Sequence, residues 1–308
     1  MSRGTTNLLR LAILGAALLF STGGAAIKAT SLSNVELAAG RSGVAAAVLL
    51  LLVPSWRVFW RPSSLLVGAG YAAVMVLFVT SNKLTTAANA IFLQSTAPIY
   101  VLVLAPWLLG ERNRRSDYAL TLALIAGAAM FFVDVEAPVP TAPQPQLGNW
   151  LAVAAGFCWA CTLVGLRWLA RRSTRSGENL AGSAAVAGNL LAFAICAPLA
   201  LPIAQISRVD LMLVLYLGIF QIGLGYLLMT RALRGLPAIE ISLLLLIEPV
   251  LNTFWAWLAH RELPGPWSLA GCTAILLATL ARILSGPSAA TAASDPDRHD
   301  DANRPSTS

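Results

Sequence analysis

Glu248 is the residue of this sequence that most needs a chemical explanation. It lies inside an apolar run from about Leu236 to Ala259, about 18 Å from one end and about 16 Å from the other at 1.5 Å per helical residue. At the middle of a bilayer, a carboxylate must be protonated, paired with a cation such as Arg41, or hydrated by a cavity. Pro249 has no N–H to bond the carbonyl of Leu245, so that oxygen is expected to be free and to face the same space. Glu248, Asn252 and Trp255 fall on one helical stripe by the i, i+4, i+7 rule. Acid, amide and aromatic together suit a polar organic ligand better than lipid. Glu248 is then expected to bind an amine-bearing solute or to carry a coupling proton. A structural ion pair is the alternative.

Other polar groups stand at similar depth. Arg41 is about two turns into its run; it either contacts solute or locks helices by binding carbonyls or Glu36. Asn89, Gln94 and Gln221 are uncharged candidates for a cavity lining, against a default of helix-to-helix hydrogen bonding. Gly218, Gln221 and Gly225 share a face, which would leave room for a ligand beside the amide. Trp159 and Trp255 could supply aromatic walls or simply pack. Lys28, at a helix end, is expected to snorkel, and Glu111 and Glu262 to anchor loops.

Reactive constellations are missing. The only histidines are His260 and His299, which argues against a Ser/His hydrolase and most histidine–metal sites. Cys158 and Cys161 form a lone CxxC without a second pair, and read as packing residues on one helix face. There is no GxxxxGK[ST] loop for ATP and no DDxxD-like acidic pair. An enzyme, a bound cofactor and a metal centre are therefore not expected.

The elements that must position these residues are membrane spans. The chain has 308 residues, 57% hydrophobic and 11% charged, with mean hydropathy +0.72. That leaves too little charge to coat a water-facing surface. Runs of about 20 apolar residues fall near 8–28, 34–53, 64–82, 85–109 and 117–135. After a proline-rich loop over 136–148 come 149–169, 180–203, 209–230, 236–259 and 266–284. The first run resembles a signal peptide in its flanks, but the chain stays hydrophobic far beyond it, so it reads as a retained helix. The tail, 285–308, is rich in Ser, Ala, Asp and Pro and reads as disordered. The net charge of +7 comes from arginines at span ends rather than from a stripe suited to nucleic acid. Placing Arg3, Arg10, Arg57, Arg61, Arg112, Arg114, Arg115, Arg171, Arg172, Arg175, Arg231 and Arg234 inside puts both termini in the cytoplasm.

The two halves also resemble each other. Pro98 precedes Glu111 by the same 13 positions that separate Pro249 from Glu262, and one shift of 151 also sets Lys83 on Arg234 and Ala87 on Ala238. An odd number of spans per half makes the second insert upside down, an architecture of carriers with solute near the midplane. The expected fold is an all-α polytopic membrane protein of ten transmembrane helices in two inverted five-helix repeats, 8–135 and 149–284. The sequence Phe20 to Lys28, Arg41, Pro98 with Gly110-Glu111-Arg112, and Glu248-Pro249 with Glu262-Leu263 resemble tandem EamA-type repeats of the drug/metabolite transporter superfamily. Arg261 stands where that pattern usually has Gly. The resemblance implies secondary transport of a small organic metabolite across the inner membrane, often export of amino acids or related solutes. A non-transporting sensor or assembly subunit is the other reading, and a lipid-modifying enzyme a weaker third.

Overall fold

The computed structural model describes residues 3–53, 56–111, 113, 117–118, 121–123, 125–126, 138–201, 206–261, 267, 270, 273 and 277. Among them are eight helices long and apolar enough to cross a membrane: α1 (Gly4–Ala29), α2 (Asn34–Leu52), α3 (Pro62–Leu84), α4 (Ala87–Leu109), α5 (Pro145–Ser173), α6 (Leu180–Leu199), α7 (Arg208–Ala232) and α8 (Ala238–His260). These correspond to the expected spans one to four and six to nine. Most of the fifth span and of the tenth, together with Glu262, His299 and the tail, lies outside the described residues.

Local signals set the ends. Ser33 caps α2 in a reciprocal box with Glu36, and Ser207 caps α7 in the same way with Asp210. Pro62 and Pro145 occupy the first turns of α3 and α5, where a missing N–H is harmless. Helix α5 begins before the expected 149 and continues to Ser176, stopping at left-handed Gly177. Its last turns carry Arg171 and Arg172, which ended the apolar run without ending the helix.

Four of the described spans are internally interrupted. Helix α1 breaks at Thr22, α4 between Gln94 and Ala97, and α8 between Leu244 and Ile247. Helix α7 contains a π-helical stretch, Leu217–Leu224. The breaks in α4 and α8 each precede the proline of the shared 13-residue spacing. Both helices also end in a left-handed residue, Gly110 at φ 64° and Arg261 at φ 53°. Arginine thus keeps the backbone geometry of the glycine it replaces, at about 1–2 kcal/mol.

Packing closes the helices into a ring in the order α1, α7, α2, α6, α3, α5, α4, α8 and back to α1. Small residues make the contacts close, as at Ala184, Ala185, Ala187 and Gly188 of α6, all buried. Polar cross-links sort the helix ends into two sets. At one end Lys83 Nζ donates to the Thr30 carbonyl at 2.9 Å, Lys28 Nζ to the Thr141 carbonyl at 2.8 Å, and Ser31 N–H to Asp210 at 2.8 Å. At the other, Arg10 pairs with Glu240 at 2.7 Å and Arg61 with Glu178 at 2.6 Å. Glu111 joins three helices there: it accepts from Arg167 Nε at 2.9 Å, Arg171 Nη2 at 2.6 Å and the Ala238 N–H at 2.9 Å. It is the anchor its position suggested.

Candidate functional site

Inside the ring lies a small polar cavity. Arg41 from α2, Gln94 from α4, Gln221 and Tyr226 from α7, and Glu248 from α8 line it, with Trp159 of α5 as one wall. Phe20, Val74, Met75, Phe78 and Ile222 complete the lining. The space open to water-sized molecules is about 30 Å³, room for about two waters. A larger cavity of about 300 Å³ between α2, α6 and α7 is almost wholly apolar, and its one acid, Glu36, is engaged at the α2 cap.

Arg41 is 0% exposed. Its Nη2 donates to the Met75 carbonyl at 3.4 Å and lies 3.3 Å from Met75 Sδ, both long contacts. Its Nε and Nη1 have no partner among the described residues. The pairing with Glu36 does not form, because that carboxylate accepts the Ser33 N–H at 2.8 Å. Nor does an ion pair within 4.0 Å join Arg41 to Glu248 among the described residues.

Glu248 follows directly on the α8 break, which turns its side chain into the cavity. The Leu245 carbonyl, expected to be free, instead accepts the Glu248 N–H at 2.9 Å. The tight turn at the break supplies the donor that Pro249 cannot. Gln94 closes the first segment of α4, and its Oε1 is buried with no partner among the described residues; so is Oε1 of Gln221. Gln221 and Tyr226 are five residues apart, which an α-helix of 3.6 residues per turn would splay. The wider π turn over Leu217–Leu224 reduces that splay, and both side chains line the cavity.

Aromatic rings support this wall. Tyr226 meets Tyr71, Phe20 and Trp159 at centroid distances of 4.5, 5.3 and 6.1 Å. Asn189 of α6 donates to the Tyr71 hydroxyl at 3.0 Å, so α6 reaches the cavity only through that pair. The sequence reading missed Tyr71, Tyr226 and Asn189, although each is a polar group inside an apolar run and carries the same signal as Gln221. Nothing in the sequence distinguishes Phe20, Met75 or Phe78 from other core residues.

Five of the eight expected site residues therefore meet at the cavity: Arg41, Gln94, Trp159, Gln221 and Glu248. Three do not. Asn252 accepts the Gly24 N–H at 3.0 Å and donates to the Ala87 carbonyl at 3.3 Å, joining α8 to α1 and α4. Trp255 Nε1 donates to Ser21 Oγ at 3.1 Å. The stripe below Glu248 thus satisfies backbone and hydroxyl groups at the α1 break. Asn89 is buried in the first turn of α4, away from the cavity lining. The glycines beside Gln221 leave no ligand space either: a Cβ on Gly218 would lie 2.5 Å from Val44, and one on Gly225 would enter the Phe20 ring. Helix α7 needs both to approach α2 and α1.

Among known proteins, the model of the EamA-like transporter family matches residues 8–133 and 146–283. The chain belongs to the EamA-like transporter family. It is thereby a multi-pass membrane protein, consistent with the drug/metabolite transporter superfamily. A protein of Methanothermobacter thermautotrophicus described as an uncharacterized transporter is 23% identical over 205 residues, 66% of this chain. The chain matches 58% of that relative's length. A crystal structure at 22% identity superposes with TM-score 0.66, covering 92% of this chain and 100% of the other. That likeness concerns the fold.

Proposed function

We propose that this EamA-like protein is a secondary carrier that exports a small organic metabolite, an amino acid or related solute, across the inner membrane. The observation that carries the reading is the unpaired state of the cavity charges. Arg41 and Glu248 line one cavity, and no ion pair neutralises either of them among the described residues. Uncompensated charge inside a membrane is expensive, and where it persists it marks a solute or ion path. A purely structural role would have closed the pair.

The matching breaks and left-handed ends of α4 and α8 favour two inverted repeats. So does their antiparallel course: Glu111 beyond the end of α4 meets Ala238 at the start of α8, and Ala87 at the start of α4 meets Asn252. In that arrangement the breaks flank the midplane, where carriers hold solute. The Arg10, Arg61 and Arg171 end faces the cytoplasm, and a coupling proton would ride on Glu248. The test is flux into proteoliposomes without ATP, across amino acids, amines, nucleobases and sugars. Accumulation or exchange of one class is expected. Silence across the panel under every ion gradient would favour the sensor or assembly reading.

A further inference from the structure

The apolar cleft between α2, α6 and α7 shares no lining residue with the Arg41–Glu248 cavity. Each helix gives it one stripe: Glu36 and Gly40 of α2, Phe193 and Ala197 of α6, Leu211 and Val214 of α7. Its flanks are open, with Phe193 43%, Leu201 68% and Leu211 51% exposed. Its deep end is closed. A Cβ on Gly40 would lie 3.1 Å from Val214, and one on Gly43 3.0 Å from Phe193, so α7 and α6 both meet α2 there. The cleft is a blind groove that opens toward lipid at the Lys83 and Asp210 end of the bundle. We propose that it holds one acyl chain of a membrane phospholipid, with the lipid phosphate at Arg208.

Volume and polarity select hydrocarbon. A space of about 300 Å³ would take about ten waters at roughly 30 Å³ each, but an ordered water needs two to four polar partners. Glu36 is the one polar side chain among the described lining residues, and its carboxylate is engaged at the α2 cap. Depth selects an acyl chain. From Leu32 to Gly40, and from Phe193 to Leu201, the lining runs about 12 Å at 1.5 Å per residue. That is close to the roughly 15 Å hydrocarbon depth of one leaflet. Charge places the head group. Arg208 opens α7 three residues before Leu211, on the same stripe. It is exposed and forms no ion pair among the described residues. A guanidinium at the mouth matches a phosphate. The neighbouring Asp210 does not compete for it, because Ser31 and Ser207 donate to both its oxygens. Lipid binding here requires only that the chain spans a membrane, whether or not it carries solute.

The experiment places the full chain in phosphatidylcholine nanodiscs with a small fraction of phosphatidylglycerol carrying a photoreactive diazirine in one acyl chain. Adducts are then mapped by mass spectrometry. Labelling of Phe193, Ala197 and Leu211 should exceed that of Met212 and Leu258, exposed at 69% and 61% at the same end of the bundle, by about tenfold. Filling the cleft with Ala197→Leu and Ala200→Leu together should erase the excess. Arg208→Gln changes an exposed side chain and should leave the fold intact, and it should lower the excess about fivefold, the worth of one arginine beside anionic lipid. Labelling spread evenly over exposed apolar positions overturns the proposal. So does an excess that survives in the folded double variant, or one that Arg208→Gln leaves unchanged. A cleft free of label in a complex that native mass spectrometry shows to contain two chains assigns the surface to a second copy and also overturns it. None of these results bears on solute exchange, so the carrier reading stands or falls separately.

Discussion

Arg41 and Asn252 are both buried polar residues in apolar runs, and their surroundings assign them opposite roles. Among the described residues, Arg41 has two nitrogens without a partner and only long contacts at the third. It contributes little to holding helices together. Arg41→Met removes an uncompensated charge and keeps an unbranched side chain, so the protein should unfold at the same or a higher temperature, by up to about 1–4 kcal/mol in favourable cases, while solute exchange is lost. A helix-locking arginine would show the reverse, lower stability with exchange retained. Asn252 uses both ends of its amide on backbone groups. Asn252→Leu should lower stability by about 1–3 kcal/mol, the desolvation of the bared groups, with little change in apparent solute affinity once folded. An affinity change without a stability change would contradict that assignment. The sequence reading could find Arg41, Gln94, Gln221 and Glu248 because charge or amide inside an apolar run has to be accounted for. It could not separate Asn252 from them, because helical periodicity gives a face and not what lies opposite. What lies opposite is the break at Thr22, whose freed N–H groups need acceptors.

The elements show how the site is framed. Helices α4 and α8 are each two segments, and the first segment of α8, Ala238–Leu244, is pinned on both sides. Glu240 holds Arg10 of α1, and the Ala238 N–H donates to Glu111, which also binds Arg167 and Arg171 of α5. Arg167 additionally donates to the Leu233 carbonyl. Glu111 and Arg167 are both buried, at 4% and 9% side-chain exposure. Removing the acid leaves a buried guanidinium without its counter-charge, so Glu111→Ala should destabilise the fold by about 3–5 kcal/mol, measured as a lower unfolding temperature in detergent. Arg61 and Glu178 are largely exposed by comparison, and Arg61→Ala should shift stability by less than about 1 kcal/mol. Equal effects of the two substitutions would contradict the anchoring role of Glu111. At this scale the sequence made the spans and the shared spacing of Pro98 and Pro249 legible. The helix interruptions were not, because Thr22, Ser95 and Leu245 are ordinary residues locally; tertiary contacts stabilise the breaks. The π stretch was hidden for the same reason, since Gly218 and Gly223 are compatible with either register.

At the scale of the whole molecule, the eight described spans form a ring around charged side chains that lie inside apolar runs. The arginine bias of the loops and the polar cross-links agree on which helix ends lie together, and the proposed orientation puts the Arg10 and Glu111 end in the cytoplasm. A reporter fused after Ser308 should then be active only as a cytoplasmic fusion; periplasmic activity would reverse the orientation. The central claim is that the Arg41–Glu248 cavity carries solute without ATP, and exchange across a sealed membrane tests it most directly. Proteoliposomes loaded with unlabelled amino acid, free of nucleotide, should take up the labelled amino acid when they contain the parent protein. With Glu248→Gln at equal insertion and equal unfolding temperature, uptake should fall at least about tenfold, about 1.4 kcal/mol or more of lost stabilisation. Uptake by Glu248→Gln equal to the parent at every pH would contradict the account.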